Sequence, residues 1–307
     1  MNSVYCSVSE QLKVDPLLEV FDGGDLCLSS TWDVETKTSV VEIFFPDASD
    51  RGRAEKALVE AGRIVGLELK PEYRSFPDED WKYSYRKFFH ADEISPRLAV
   101  VPPWEKEEWL ASVSGRAEKP EPIYIDPGMA FGTGRHETTR TCLEFIDALA
   151  LELGGRKGDR SFLDMGTGSG ILAFAACKLG FAPVRAFDID ADAVRVAEEN
   201  AALNGVEADF EVADLLSPHE PARYVAANIL GPVLIHFASA ISLCVKPGPD
   251  SRLILSGILE RDYDSVREAF ERQGLFEVKS AVRGEWKSGV FAFPDGLFPA
   301  AKAGHGR

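Results

Sequence analysis

The chain has 307 residues, 45% apolar and 27% charged, the balance of a soluble globular protein with room for one large and one small domain. Its formal net charge of -16 is spread through both halves, which leaves no basic stripe for a nucleic-acid backbone and favours a basic partner. No apolar run approaches the roughly eighteen residues of a membrane span, and the start, MNSVYCSVSEQLKVD, has neither the basic head nor the apolar core of a secretion signal.

In chain order, the first 75 residues predict a small domain. VYCSVSE reads as a strand and DPLLEVF as a short helix. DLCLSSTWDV and KTSVVEIFF read as two strands around Glu35–Thr36. ASDRGRAEKALVEAGRIVG has apolar residues at helical spacing behind Ser49 or Asp50 as the expected cap, and LELKPEYRSF closes the unit as a strand. Strand–helix–strand–strand–helix–strand is the ferredoxin-like α+β pattern. Residues 76–95 are expected to link this domain to a second one over 96–300. The stretch begins with a helix after Pro77 and leads to the strand RLAVVP. Its aromatics Trp81, Tyr83, Phe88 and Phe89, with Trp104 beyond it, either glue the domains together or line a groove.

From residue 138 the pattern alternates. TTRTCLEFIDALALEL is helical, SFLDMG a buried-type strand, GILAFAACKLG a helix and PVRAFDID a strand. ADAVRVAEENAALNG is a helix ended by Gly205. DFEVAD and RYVAANI are strands, PVLIHFASAISLCV one helix, RLILSGI a strand and YDSVREAFERQG a helix. FEVKSAVRGEWK and GVFAFP form a terminal hairpin, and AAKAGHGR a frayed tail. Repeated strand–helix units predict a doubly wound, mostly parallel α/β sheet, with the hairpin adding an antiparallel strand at or near one edge. The five cysteines (Cys6, Cys27, Cys142, Cys177, Cys244) are odd in number and never spaced as CxxC. They read as small buried hydrophobes of a cytoplasmic protein. His90, His136, His219, His236 and His305 have no metal-ligand spacing, so no metal is expected.

Two glycine clusters carry the chemistry. DPGMAFGTGRHETT, residues 126–139, is too rich in glycine and proline for a helix or strand, so it turns sharply or lets backbone approach a ligand. DMGTGSG, residues 164–170, runs from a strand into a helix, the place where an open α/β sheet binds its ligand. Asp188 ends the next strand, 188 − 166 = 22 residues past Gly166, where a carboxylate suits the two hydroxyls of a ribose. An adenosine-containing cofactor follows. The spacing Gly166-x-Gly168-x-Gly170 differs from the dinucleotide fingerprint GxGxxG. Asp164 would repel a pyrophosphate but attract the ammonium of S-adenosylmethionine, the reading preferred over an NAD-dependent oxidoreductase. Asn228, at the end of RYVAANI, is a candidate to accept a hydrogen bond from an amine beside the transferable methyl, or else simply ends the strand. The N-P-P-Y/F form used on planar base nitrogens is absent.

Taken together, DPGMAFGTGRHETT, DMGTGSGIL, FDID, ANIL and LSGIL, in this order and spacing, resemble the PrmA family, the methyltransferases of ribosomal protein L11. The resemblance extends over DEDWKYSYRKFFHADEISPRLAVVPPWE and EWKSGVFAF, and is weakest before residue 75. It implies a class I (Rossmann-like) methyltransferase domain behind a ferredoxin-like substrate-recognition domain, using S-adenosylmethionine to methylate lysine or N-terminal α-amines of L11. By position it implies that Thr139, Gly166, Asp188 and Asn228 hold the cofactor. It also implies that the loop from Phe131 and Gly132 to Thr139 folds over its methionine end. Arg135 and Glu137 depart from the family's usual GTGTHPTT, and GPVL after Leu230 is about one residue tighter than its ANILAGPL form. A lysine methyltransferase of another protein, such as electron-transfer flavoprotein, remains an alternative, as does a cofactor-binding regulator. His136 is the tempting general base, though a histidine in such a loop more often serves shape or hydrogen bonding.

Overall fold

A computed structural model of the chain describes residues 2–9, 28–33, 38–45, 47–75, 89–126, 136–154 and 158–294, with positions 13, 14, 17, 21, 26 and 86. Apart from the single positions 17, 21 and 86, the helix expected over DPLLEVF, the linker helix after Pro77 with Trp81, Tyr83 and Phe88, the glycine loop 127–135 and the C-terminal tail lie outside these residues. The chain divides into two compact units, 1–88 and 89–307.

The first unit holds β1 (Asn2–Val8), β2 (Leu28–Asp33), β3 (Thr38–Phe45), α1 (Arg51–Ile64) and β4 (Glu72–Ser75). Its sheet runs β2-β3-β1-β4, with every neighbouring pair antiparallel. Alternate residues of β3 are buried, so Val41, Ile43 and Phe45 meet Val4 of β1 and Ala54 and Leu58 of α1 in one core. The cap before α1 is not the one expected. Asp47 accepts the Ser49 amide at 2.8 Å and starts a single 3-10 turn, while Asp50, at the α-helical N-cap position, makes no side-chain cap bond. The inserted turn moves the capping role three residues upstream.

The second unit opens with elements that the sequence pattern left largely unmarked. β5 (Asp92–Ser95), β6 (Leu98–Val101) and β7 (Glu121–Tyr124) form a separate three-stranded sheet, with α2 (Lys106–Val113) between β6 and β7. Residues 89–95, read from sequence as the end of a linker, therefore sit in this unit. After α3 (Glu137–Leu153) come β8 (Phe162–Met165), α4 (Ile171–Lys178), β9 (Val184–Asp188), α5 (Ala191–Asn204), β10 (Asp209–Val212) and β11 (Tyr224–Asn228). The single helix expected next is two, α6 (Gly231–His236) and α7 (Ala238–Leu243), broken at Phe237. β12 (Arg252–Leu259), α8 (Tyr263–Glu271), β13 (Phe276–Arg283) and β14 (Trp286–Ala292) complete it. The hairpin turns at Gly284 (φ 58), so Trp286 and Lys287 begin the last strand rather than end the one before.

The seven-stranded sheet has the order β10-β9-β8-β11-β12-β14-β13, parallel from β10 to β12 and antiparallel at β14 and β13. The hairpin thus contributes two strands, with β14 between β12 and the edge. Helices cover both faces, which is why the central strands read as apolar runs. Phe162, Ala186, Tyr224, Ala226 and Ile254 point to α3 and α4, whereas Leu163, Phe187, Val225, Leu255 and Phe291 point to α6, α7 and α8. Asp164 falls on the first of these faces, inside a core. Cys142 lies wholly buried there, and burial pushes its thiol up to about 12.

One buried side chain ties β7 to this framework. Asn204, the last residue of α5, accepts the Tyr124 amide through Oδ1 at 2.8 Å. Its Nδ2 donates to the Tyr124 carbonyl at 2.7 Å and to that of Asn200 at 2.9 Å. It satisfies both main-chain groups of Tyr124 as a neighbouring strand would. Asn204→Ala orphans them, and the expected cost is about 2–4 kcal/mol, a fall in Tm of about 5–15 °C. Thermal unfolding checks this, and an unchanged Tm would mean that water replaces the amide without loss.

Candidate active site

The turn after β8 needs left-handed backbone at three places: Gly166 (φ 69), Gly168 (φ 52) and Gly170 (φ 86). Space demands glycine as well. A Cβ on Gly166 would lie 2.6 Å from Ile229 Cγ2, and one on Gly170 would lie 2.3 Å from the Phe174 ring. The turn is bound to β9 by its amides. Gly166 and Thr167 both donate to the Phe187 carbonyl, at 2.9 and 3.0 Å, and Gly168 donates to Asp188 Oδ2 at 2.9 Å. Asp188 Oδ1 accepts the Asp190 amide at 3.1 Å. Each carboxylate oxygen keeps a second lone pair for another donor.

Asp164 lies beneath this turn, 1% exposed, and accepts the Thr167 hydroxyl at 2.7 Å on Oδ2. Its Oδ1 is buried without a hydrogen-bond partner. Burial pushes the carboxyl up to about 7, the nearby Asp188 adding to the rise, against the opposing Thr167 hydroxyl and the adjacent Ala173 amide.

Above the turn, at the carboxyl ends of β8, β9, β11 and β12, opens a cavity of about 800 Å³. Gly166, Gly168, Asp188 and Asn228 line it. Its walls are largely apolar, with Ile189 and Leu215 near Asp188, Leu230 and Phe237 beyond Asn228, and Trp286 on the far side. Thr139 and Asp164 do not line it: Thr139 is fully buried behind Asn228, whose Nδ2 donates to Thr139 Oγ1 at 3.4 Å. Phe131 and Gly132 lie outside the described residues. Two further features went unmarked in sequence. Gly257 (φ 78) sits at a bulge of β12 where a Cβ would come within 2.5 Å of the Ile229 carbonyl oxygen, a close approach that an isolated glycine in a strand can signal. Trp286 reaches the site because the hairpin turns at Gly284.

His136 also lines the cavity, packed edge-on against Trp286 with ring centroids 5.0 Å apart. It is the N-cap of α3: Nδ1 accepts the Thr138 amide at 3.4 Å and lies 2.8 Å from the Thr138 hydroxyl. An Nδ1 used as acceptor places the proton of the neutral ring on Nε2, so its basic nitrogen is engaged in capping. This geometry argues for a structural role over that of general base.

A sheet in this order, with its glycine turn after β8, a carboxylate ending β9 and a cavity over both, defines a class I methyltransferase domain. The family model described as ribosomal protein L11 methyltransferase (PrmA) matches residues 25–292, and the chain belongs to this family. It is 41% identical over 269 residues to the ribosomal protein L11 methyltransferase of Geobacter sulfurreducens, covering 84% of this chain and 83% of that one. A relative of the same name from Streptococcus pneumoniae is 36% identical over 260 residues, covering 82% and 78%. Among solved structures, the ribosomal protein L11 methylase of Lactobacillus delbrueckii subsp. bulgaricus superposes with a TM-score of 0.56 at 31% identity, over 67% of this chain and 99% of that one. The likeness to an oxidoreductase fails on the turn itself, since the place of a third dinucleotide glycine is taken by buried Ile171. Among the described residues no group of histidine, cysteine and carboxylate side chains is placed to hold a metal, and no helix is long and apolar enough to cross a membrane.

The Asp164 carboxyl predicts a pH signature. Between about pH 4 and 7 the folded chain holds a proton that the unfolded chain has released, so stability falls as pH rises through this window. A carboxyl held at about 7 against an ordinary 3.8 corresponds to about 4 kcal/mol once fully ionised. Asp164→Asn has no such proton to lose. Its unfolding free energy relative to wild type, without cofactor, is expected to rise by about 2–3 kcal/mol from pH 5 to pH 8. A gap that stays constant with pH would show that Asp164 is already ionised at pH 5.

Proposed function

We infer that the protein is an S-adenosylmethionine-dependent methyltransferase acting on amines of ribosomal protein L11. The observation that carries this reading is the pairing of the Gly166–Gly170 turn with Asp188 on the floor of one cavity. The cavity, about 800 Å³ with apolar walls, suits a ligand of this size. When bound, S-adenosylmethionine supplies a methyl group activated by a sulfonium. Asp188 would accept hydrogen bonds from both ribose hydroxyls with the lone pairs its main-chain contacts leave open. Gly166 and Gly168 let the ligand rest against the backbone, where side chains would exclude it. The Asp164 charge beneath the turn favours an ammonium placed above it, and that ammonium would in turn draw Asp164 to its ionised form.

The acceptor must arrive as a neutral amine with a free lone pair. A lysine titrates near about 10.4 and an α-amine near about 8, so each loses a proton before reacting. A dry cavity beside a positive charge lowers both values. Asn228 would accept one N–H of the amine and so aim its lone pair. With the His136 basic nitrogen engaged in a cap, catalysis rests mainly on orientation and desolvation. The first unit, with the open antiparallel sheet of a ferredoxin-like domain, is assigned to substrate recognition. The net charge of -16 matches a basic ribosomal protein and would speed its approach while repelling RNA, which fits a cytoplasmic enzyme meeting free L11.

Intact-mass spectrometry of purified L11 incubated with the enzyme and S-adenosylmethionine tests the reading. Steps of one methylene, about 14 Da, are expected, and their absence would refute L11 as the substrate. Asp188→Ala should weaken cofactor binding about 100-fold to 1000-fold by removing two hydrogen bonds to a charged group. A fall of less than about fivefold would remove Asp188 from the site. Raising salt from 50 to 300 mM should increase the KM for L11, since screening shortens the reach of the acidic surface (as the Debye length falls below about 10 Å). A KM indifferent to salt would overturn electrostatic steering.

A further inference from the structure

The loop after β10 supplies the wall of the cavity on the Asp188 side. Ala213, Asp214, Leu215 and Leu216 line it, and the Ala213 amide donates to the Asp188 carbonyl at 3.0 Å. Leu216 is 71% exposed, so its packing gives the loop little hold. The hold comes from the arm that follows, Ser217-Pro218-His219-Glu220-Pro221, whose two prolines fix their own φ angles and restrict the residues before them. β9 grips this arm through Arg185 and Phe187, alternate residues that share one face of the strand. At the far end Arg185 donates to the Glu220 carbonyl at 2.8 Å and pairs with the Glu220 carboxylate. At the near end the His219 ring lies flat on Phe187, with centroids 3.9 Å apart and planes 8° from parallel. His219 Nε2 is 2.7 Å from the Asp214 carbonyl oxygen. A carbonyl only accepts, so Nε2 carries the proton and donates it.

We propose that His219 is a positioning residue for cofactor binding, locking the 213–216 wall to β9 before the ligand arrives. The proposal rests on the methyltransferase reading and deepens it. Phe187 serves both sides of the cavity floor: its carbonyl accepts the Gly166 and Thr167 amides, and its ring carries His219. The glycine turn, Asp188 and the wall are thereby fixed to one strand end. Within the loop, Asp214 Oδ1 accepts the Leu216 and Ser217 amides at 2.9 and 2.8 Å and the Ser217 hydroxyl at 3.0 Å. Those bonds shape the turn but do not reach the sheet, whereas the His219 ring does. A wall left free to move must be ordered when the ligand binds, and that cost comes off the affinity. With the cofactor in place the wall is ordered in either case, so the transfer step does not feel His219. Because Asp188 is the ribose residue in this reading, the nucleoside is the part of the ligand that the wall meets.

Three variants of the full chain test this. His219→Ala removes ring and donor, His219→Gln keeps a donor, and His219→Phe keeps a ring. The calorimetric Kd for S-adenosylmethionine is expected to rise about 5-fold to 30-fold in His219→Ala, for the loss of one hydrogen bond and one ring contact, and by less in each of the other two. The Kd for 5′-methylthioadenosine, which has the nucleoside without the amino-acid end, should rise by the same factor. At saturating cofactor, kcat and the KM for L11 should stay within about twofold of wild type. An unchanged S-adenosylmethionine Kd in His219→Ala overturns the proposal, as does a loss confined to kcat or one that 5′-methylthioadenosine does not share. If His219→Ala does not fold, the other two variants decide, and wild-type affinity in both overturns it. Failure of the methyltransferase reading looks different, because the wild-type protein would then bind no S-adenosylmethionine and transfer no methyl to L11.

Discussion

The hydrogen bond from the Gly168 amide to the Asp188 carboxylate turns two strand ends into one concave surface. Parallel strands pair only along their length, and beyond the last ladder bond nothing obliges the following loops to stay together. Here the loop after β8 is drawn across the end of β9 by three amides, two on the Phe187 carbonyl and one on Asp188. That pull sets the left-handed conformations at Gly166, Gly168 and Gly170, because only a tight turn can face its amides sideways. Ile229 then packs where a Gly166 side chain would be, bringing the end of β11 up to the same surface. The aspartate carries a second consequence: each oxygen is half used by the protein, so it is oriented before any ligand arrives.

Polar groups near this surface are arranged in depth. Asp188 and Asn228 face the cavity, while behind them Asp164 accepts the Thr167 hydroxyl, Thr139 accepts the Asn228 amide, and Ser256 pairs with Ser288. Burying such groups is costly unless they are satisfied. Most are, and Asp164 Oδ1 is an exception, which makes it the place where a positive charge arriving above would be felt most.

Much of the catalytic domain was legible because its chemistry is local in sequence. The glycine turn, Asp188 and Asn228 each sit at the end of an apolar strand, and strand ends on one side of a parallel sheet must meet. The first unit's strands were readable from their alternation, as in TSVVEIFF, and their order β2-β3-β1-β4 agrees with the ferredoxin-like pattern. What stayed hidden depends on distant partners. β7 is four residues long and is completed by Asn204, eighty positions later. The break at Phe237 interrupts an unbroken helical pattern, and nothing local marks it. Gly284 was read as part of a strand because FEVKSAVRGEWK alternates through it. The resemblance assigns Thr139 to the cofactor, and only the fold shows its hydroxyl beside the Asn228 amide.

Cys6, Cys142 and Cys244 are buried, and burial raises all three thiols well above their ordinary value, as it does for the half-buried Cys177. The thiolate is the form that oxidants and electrophiles attack, and at neutral pH these positions hold very little of it. At these four positions the protein is therefore chemically quiet: peroxide or an alkylating reagent would find no ready nucleophile in the folded state. Thiol labelling at Cys6, Cys142 and Cys244 then becomes a report on unfolding, since only an opened core would expose them.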